Sequence, residues 1–288
     1  MWEKKIQIDA PYNFDRVLER QALDPLNQID KKNRMIKVPI IVNRGKYVVE
    51  VRGTGTTEAP TFLLSGKKYE NKEEQIKRIA EVFQWNVPLK PVYDHFQQTD
   101  LTELFNEHFG TPLVLDFDPF SSLLKSIIHQ QLNLSFAFTL TERFVKTFGT
   151  QLEDVWFYPD AEKIAELTVE QLRELQFSGR KAEYVIGIAR NMIDGELDFS
   201  ALKQENEEEI FKKLIKVRGI GPWTIQNFLL FGLGRQNLFP TADIGIQNAL
   251  KKLYKLEQKP TQEEIERFKQ GWEPYLSYAS LYLWRSIE

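Results

Sequence analysis

The stretch from Leu214 to Asp243, LIKVRGIGPWTIQNFLLFGLGRQNLFPTAD, constrains this chain more than any other. Gly219 and Gly221 flank a single isoleucine, so the backbone can turn tightly there, and Pro222 suits a first helical turn because it has no amide to leave unbonded. An acidic run, Glu205–Glu209, followed by Lys212, Lys213 and Lys216 predicts a helix before the turn, and the apolar run to Leu233 predicts one after it. The stretch reads helix, hairpin, helix. Amides opening the second helix would face outward at the positive end of its dipole, which suits a phosphate. Asp243 closes the stretch where Ile246, Ala249, Leu250 and Leu253 announce a further helix.

Ahead of this stretch the chain changes character once. Trp2–Asp9 alternates, Asn13 can cap a helix to about Ala22, and the β-branched runs Met35–Val42 and Tyr47–Val51 read as a hairpin around Asn43-Arg44-Gly45-Lys46. Thr61–Leu64 adds a strand, and Asn71 with Glu74 matches a capping box before Ile76, Ile79, Ala80 and Phe83. From about Asp100 the strand signal largely disappears. Asp118-Pro119 starts a helix, and Ser135 starts another with Phe136, Leu140, Phe144 and Phe148 as a core stripe. Thr168 with Gln171, and Thr261 with Glu264, match capping boxes, and Gly179-Arg180-Lys181 leads into a further helix. The fold class is therefore α+β. An antiparallel α+β unit spans 1–112, and an all-α part, expected as one bundle around the hairpin helices, spans 113–288.

Composition removes several chemistries. Without cysteine there is no disulfide, thiol nucleophile, cysteine-ligated zinc or cysteine-held iron–sulfur cluster, and three scattered histidines make a poor metal site. With 38 basic against 41 acidic residues the chain is no general polyanion binder, so contact with nucleic acid must be local and amide-borne. No apolar run reaches the roughly 20 residues that span a bilayer, and no apolar signal core opens the sequence. A cytoplasmic monomer with no membrane partner is expected.

Each candidate residue also has a plainer reading. Asp243 fits an N-cap, with Pro240 and Thr241 leading in, yet a carboxylate held at a helix start can also stabilise a cation. Trp223 and Trp284 fit a core, and tryptophan is also the best partner for a flat cation. Gln130-Gln131 can satisfy local backbone groups, with His129 an ordinary neighbour. Lys216, Arg218 and Thr224 around the glycines favour a DNA backbone over a nucleotide, because the Lys-Ser/Thr ending of a nucleotide loop is missing.

Taken together, these residues resemble the helix–hairpin–helix DNA glycosylase superfamily, and within it the alkylpurine-excising branch of the bacterial DNA-3-methyladenine glycosylase II type. The likeness covers roughly 113–286 and includes Ile127–Leu132, Phe177–Tyr184 and Trp272–Trp284. More loosely, 1–112 resembles that branch's TATA-binding-protein-like domain. The resemblance implies Asp243 as the catalytic aspartate, Trp223 and Trp284 at the base pocket, and Gln131 inserted into the DNA stack. It also implies Gly219, Gly221, Thr224, Lys216 and Arg218 at the DNA backbone. The partner would be double-stranded DNA with damaged bases. No organic cofactor is implied, and a monovalent cation on the hairpin carbonyls is the only candidate ion.

Superfamily members that also cleave the strand place a lysine where Trp223 stands, so the resemblance implies monofunctional excision of alkylated purines. Ala242 and Arg285 depart from the branch's pattern beside Asp243 and Trp284. The alternatives are a non-catalytic sensor of damaged DNA using the same hairpin, and a glycosylase for oxidised purines.

Overall fold

The computed structural model describes residues 1–287. Its first part runs β1 (Trp2–Gln7), α1 (Phe14–Gln21), β2 (Gln28–Asp30), β3 (Met35–Val42), β4 (Gly45–Gly53), β5 (Thr61–Gly66) and α2 (Lys72–Val82). The strands form one antiparallel sheet in the order β1-β5-β4-β3-β2. Along β3, Ile36, Val38 and Ile40 are fully buried while the intervening residues are not, the period of a half-covered sheet. Val42 pairs with Gly45, so Asn43 and Arg44 alone make the turn, both left-handed at φ 48° and 64° to match the strand twist.

Asn13 caps α1 as expected, its side chain accepting from the Arg16 amide at 3.1 Å. Asn71 does not form the expected capping box: it is left-handed at φ 53°, and its amide donates to the Tyr47 hydroxyl at 2.8 Å. The nearby phenol on β4 captures the group that would otherwise have capped α2.

Helices then dominate. After α3 (Leu89–Phe96) and α4 (Thr102–Glu107), Asp118 caps α5 (Pro119–His129) through the Ser121 amide. In α6 (Leu134–Phe148) only the middle of the phenylalanine stripe is core. Leu140 and Phe144 are buried alongside Ala137, Thr141 and Val145, whereas Phe136 and Phe148 are half-buried. The buried face has turned by part of a residue spacing, because helical rows four apart drift around the axis. A hairpin of β6 (Thr150–Leu152) and β7 (Val155–Phe157) follows, turning on Glu153 and Asp154 at φ 52° and 67°, in a part of the chain expected to be all helix.

Next come α7 (Ala161–Ala165), α8 (Val169–Glu174), α9 (Gly179–Ile193), α10 (Phe199–Gln204), α11 (Glu207–Leu214) and α12 (Pro222–Asn227). The helix begun at Pro222 widens into a π turn over Phe228–Gly232. The chain ends with α13 (Ile244–Leu253), α14 (Gln262–Phe268) and α15 (Leu276–Arg285). Both the Thr168–Gln171 and the Thr261–Glu264 capping boxes form.

The helices do not share one core. Those from α5 to α12 enclose one set of buried side chains, while α13–α15 join the core of the sheet through α3 and α4. Aromatic stacking explains the split. Phe96 lies on Phe105 and Phe105 on Tyr282, with ring centroids 3.8 and 3.9 Å apart, and the Tyr282 hydroxyl donates to the Thr111 carbonyl at 3.1 Å. A cleft remains where the two cores meet.

Candidate active site

Asp243 sits at the N-terminus of α13, and three N–H donors hold its carboxylate. Oδ1 accepts from the Ile246 amide at 3.0 Å and from Trp284 Nε1 at 2.9 Å, and Oδ2 accepts from Trp223 Nε1 at 2.9 Å. The cap predicted from sequence is therefore real. Both tryptophans, expected to act through their ring faces, also address the carboxylate by their edges. Trp284 comes from α15 and packs against Phe231 at 5.7 Å, and Asn227 Nδ2 donates to the Trp223 carbonyl at 2.9 Å. Gly245 makes the approach possible: a Cβ there would stand 3.0 Å from both Asp243 Oδ1 and Trp284 Cδ1. No cation pairs with Asp243 among the described residues, so its charge is held by neutral donors alone.

The hairpin is braced from inside. Gly219 is left-handed at φ 95°, and a Cβ would meet the Tyr184 ring at 2.3 Å, so only glycine fits. At Gly221 a Cβ would meet nothing within 4 Å, and the space beyond it is open. The amides of Gly219 and Gly221 meet no backbone acceptor among the described residues. Gln130 spans from the end of α5 to donate to the Gly219 carbonyl at 2.8 Å and to Thr224 Oγ1 at 2.7 Å. Thr224, expected at the DNA contact, is buried, so its hydroxyl serves this brace instead. Lys216 and Arg218 are exposed, as a backbone contact requires, although Arg218 also pairs with Glu183 at 2.6 Å. Gln131 is exposed and left-handed at φ 55°, at the tip between α5 and α6.

Lys181 underpins that tip. Its ammonium donates to the Ile128 carbonyl at 2.6 Å and the Gln130 carbonyl at 3.0 Å, satisfying the open carbonyls at the end of α5, and burial pulls its pKa down to about 8. In the sequence Lys181 figures only at the start of a helix. A lysine just inside a new helix, against the dipole, was the one available sign that it served another element.

A cleft of about 290 Å³ opens beside Asp243, lined by Trp223, Trp284, Phe231 and Phe138 and, from α5, by Lys125 and His129. A larger cavity of about 940 Å³ lies between the sheet and α5, sharing Asp24, Asp116 and Lys125 with the first. Asp243 and both of its tryptophan partners line the smaller one, and none of them lines the larger. Lys125 stands between the two cavities, 3.2 Å from both Asp24 and Asp116. Burial pulls its ammonium down, but the two carboxylates outweigh this and hold it above the usual lysine range. None of these three residues stands out in the sequence: Asp24 is about a hundred residues from Lys125, and Asp116 lies on the segment before α5, nine residues away.

The family model of HhH-GPD superfamily base excision DNA repair proteins matches residues 124–274. The chain belongs to this family. It is 54% identical over the full length of both chains to YfjP of Bacillus subtilis, whose assignment as a DNA-3-methyladenine glycosylase is provisional. It is 36% identical to the DNA-3-methyladenine glycosylase of the same organism, across 98% of this chain and 97% of that one. In structure it is similar to the 3-methyladenine DNA glycosylase of Archaeoglobus fulgidus, with a TM-score of 0.86, 24% identity, and coverage of 99% of this chain and 97% of that one. The expected α+β fold, a sheet domain ahead of helices, is thus the fold of a known glycosylase.

As a member of the HhH-GPD family, the chain was expected to offer hairpin carbonyls to a monovalent cation. The Gly219 carbonyl already accepts from Gln130, and the Val217 carbonyl accepts from the Ile220 amide at 3.1 Å. Oxygens already facing N–H donors fit a cation poorly. Arg285, beside Trp284, turns away from the cleft to donate to the Arg16 carbonyl at 2.6 Å. No described helix is long and apolar enough to cross a membrane.

Proposed function

We propose that this protein is a monofunctional DNA glycosylase that excises alkylated purines such as 3-methyladenine and 7-methylguanine from double-stranded DNA. The observation that carries the reading is Asp243, an unpaired carboxylate fixed by three N–H donors at an aromatic cleft. Residues 113–288 would supply the cleft and hairpin, with 1–112 as the domain that closes its far side.

The target nucleotide leaves the stack, at an unstacking cost of about a few kcal/mol, and its base enters the cleft. Gln131, exposed at its tip, fills the gap. The free amides of Gly219 and Gly221, with Lys216 and Arg218 beside them, hold the adjacent phosphate. An alkylated purine is already cationic and lies against Trp223 and Trp284, each contact contributing about 0.5–2 kcal/mol. When the N-glycosidic bond breaks, its electron pair stays with the base and positive charge appears on the sugar. Asp243 stabilises that charge, and its Oδ2, with one lone pair still open, orients the water that adds to the anomeric carbon and accepts the proton this water releases.

Trp223 occupies the place where strand-cleaving members carry a lysine, so no Schiff base forms and water is the only nucleophile. The test is release of free base from methylated duplex DNA by the purified protein, alongside a trapping reaction with borohydride. Catalytic release without trapping supports the reading. Binding without turnover would instead establish a damage sensor, and trapping would establish a lyase.

A further inference from the structure

One group in the cleft has no part in that mechanism. His129, at the end of α5, places Nε2 3.0 Å from Thr141 Oγ1, and the Thr141 hydroxyl donates its only proton to the Ala137 carbonyl at 3.0 Å. Thr141 can therefore only accept from the histidine. This fixes the tautomer: Nε2 carries the proton and Nδ1 carries a lone pair. The ring is also fixed in orientation, edge-on to Phe138 with centroids 5.2 Å apart. His129 lines the cleft, and among the described residues Nδ1 has no hydrogen-bond partner. The ring stays neutral in ordinary conditions, because burial first, and then the Lys125 and Lys181 ammoniums, outweigh Asp116 and lower its pKa to about 3.

We propose that His129 is a specificity determinant: its Nδ1 accepts a hydrogen bond from the 6-amino group of the extruded base, favouring adenine lesions over lesions with oxygen at that position. The inference rests on the glycosylase reading above and sharpens its substrate. A fixed acceptor rewards an N–H and is left facing another acceptor when a carbonyl takes its place. Sites built to hydrogen-bond a polar group reject analogues lacking it far more strongly than apolar sites reject a change of shape. A histidine that merely braced α6 would need the Thr141 bond and the Phe138 contact, and would treat both classes of base alike.

The experiment uses duplexes carrying a single N7-methyladenine or a single N7-methylhypoxanthine, both cationic and differing at position 6 by amino against oxygen. Single-turnover release is divided by the spontaneous loss of each base in the same buffer. The wild-type protein should prefer the adenine lesion by about 10- to 100-fold. His129→Phe should bring the ratio close to one, chiefly by slowing the adenine lesion. Thr141→Val keeps the imidazole but removes the acceptor that fixes its tautomer, so its ratio should also fall; it carries the test if His129→Phe does not fold. A wild-type ratio near one, or a ratio unchanged in the folded variants, overturns the proposal and leaves the glycosylase reading intact. A wild-type protein that releases neither base overturns both.

Discussion

The cleft holds partly buried carboxylates at two places, and they are balanced in opposite ways. Asp24 and Asp116 share the Lys125 ammonium, and further donors reach them: the Leu26 amide at 3.1 Å on Asp24 and the Ser122 hydroxyl at 2.7 Å on Asp116. Asp243 has three N–H groups and, among the described residues, no cation. Hydrogen bonds from neutral donors orient a carboxylate without cancelling its charge, whereas an ammonium cancels it. In the proposed mechanism the field of Asp243 is thus left for a cation that appears only during reaction, while the α5 cluster serves the protein itself. Position in the sequence does not separate the two kinds of aspartate; their partners do.

Asp243→Asn should give the largest effect. An amide keeps the shape and can still cap α13, but it removes the charge and turns an NH₂ toward one of the tryptophan N–H groups. Base release should fall by about 10³-fold or more, with stability lowered by no more than about 2 kcal/mol. Single-turnover kinetics and thermal melts of the same preparation check both; release within tenfold of wild type would dissolve the contrast. Lys125→Met should show the reverse. It leaves two partly buried carboxylates without their cation, a loss of roughly 3 kcal/mol in denaturant unfolding. If stability stayed within 1 kcal/mol of wild type, Lys125 would not be the balance of the cluster.

His129 sharpens the contrast through pH. Its folded pKa of about 3 lies below the ordinary 6.5, so between these values the unfolded chain binds a proton that the folded chain does not. The stability it contributes is complete above pH 6.5 and is lost as pH falls towards 3, with a slope of about 1.4 kcal/mol per pH unit. Subtracting the unfolding profile of His129→Phe from that of wild type isolates this slope from the carboxylates. A flat difference would mean that His129 is protonated in the folded state.

Local signals were readable from sequence and long-range ones were not. The hairpin glycines, the caps at Asn13, Asp118, Thr168, Thr261 and Asp243, and the β3–β4 turn depend on residues within a few positions of one another. The Asn71 capping box failed because Tyr47, 24 residues away, competed for its side chain. The division of the helices between two cores depended on Phe105 meeting Tyr282, and the α5 cluster on Lys125 meeting Asp24. No spacing rule reaches that far. Resemblance to a family brought Trp223, Trp284 and Asp243 together on paper, but not the fact that both indoles bond the same carboxylate.

Gly245 gives the smallest effect and the most discriminating one, because its two consequences have opposite signs. It lies in the first turn of α13, where alanine is the better helix former by up to about 1 kcal/mol. Its missing Cβ also leaves room for Trp284 to reach Asp243, and an added methyl would sit 3.0 Å from each. Asp243 is tied by its cap to Ile246, so the indole is the group that must yield, by a few tenths of an ångström, lengthening the Trp284 hydrogen bond. Gly245→Ala should therefore melt at or slightly above the wild-type temperature while releasing base about five- to tenfold more slowly, the equivalent of about 1 kcal/mol. Unchanged release would show that the Trp284 bond does not hold the carboxylate in its working position. A lower melting temperature would show that the methyl displaces the cap rather than the ring.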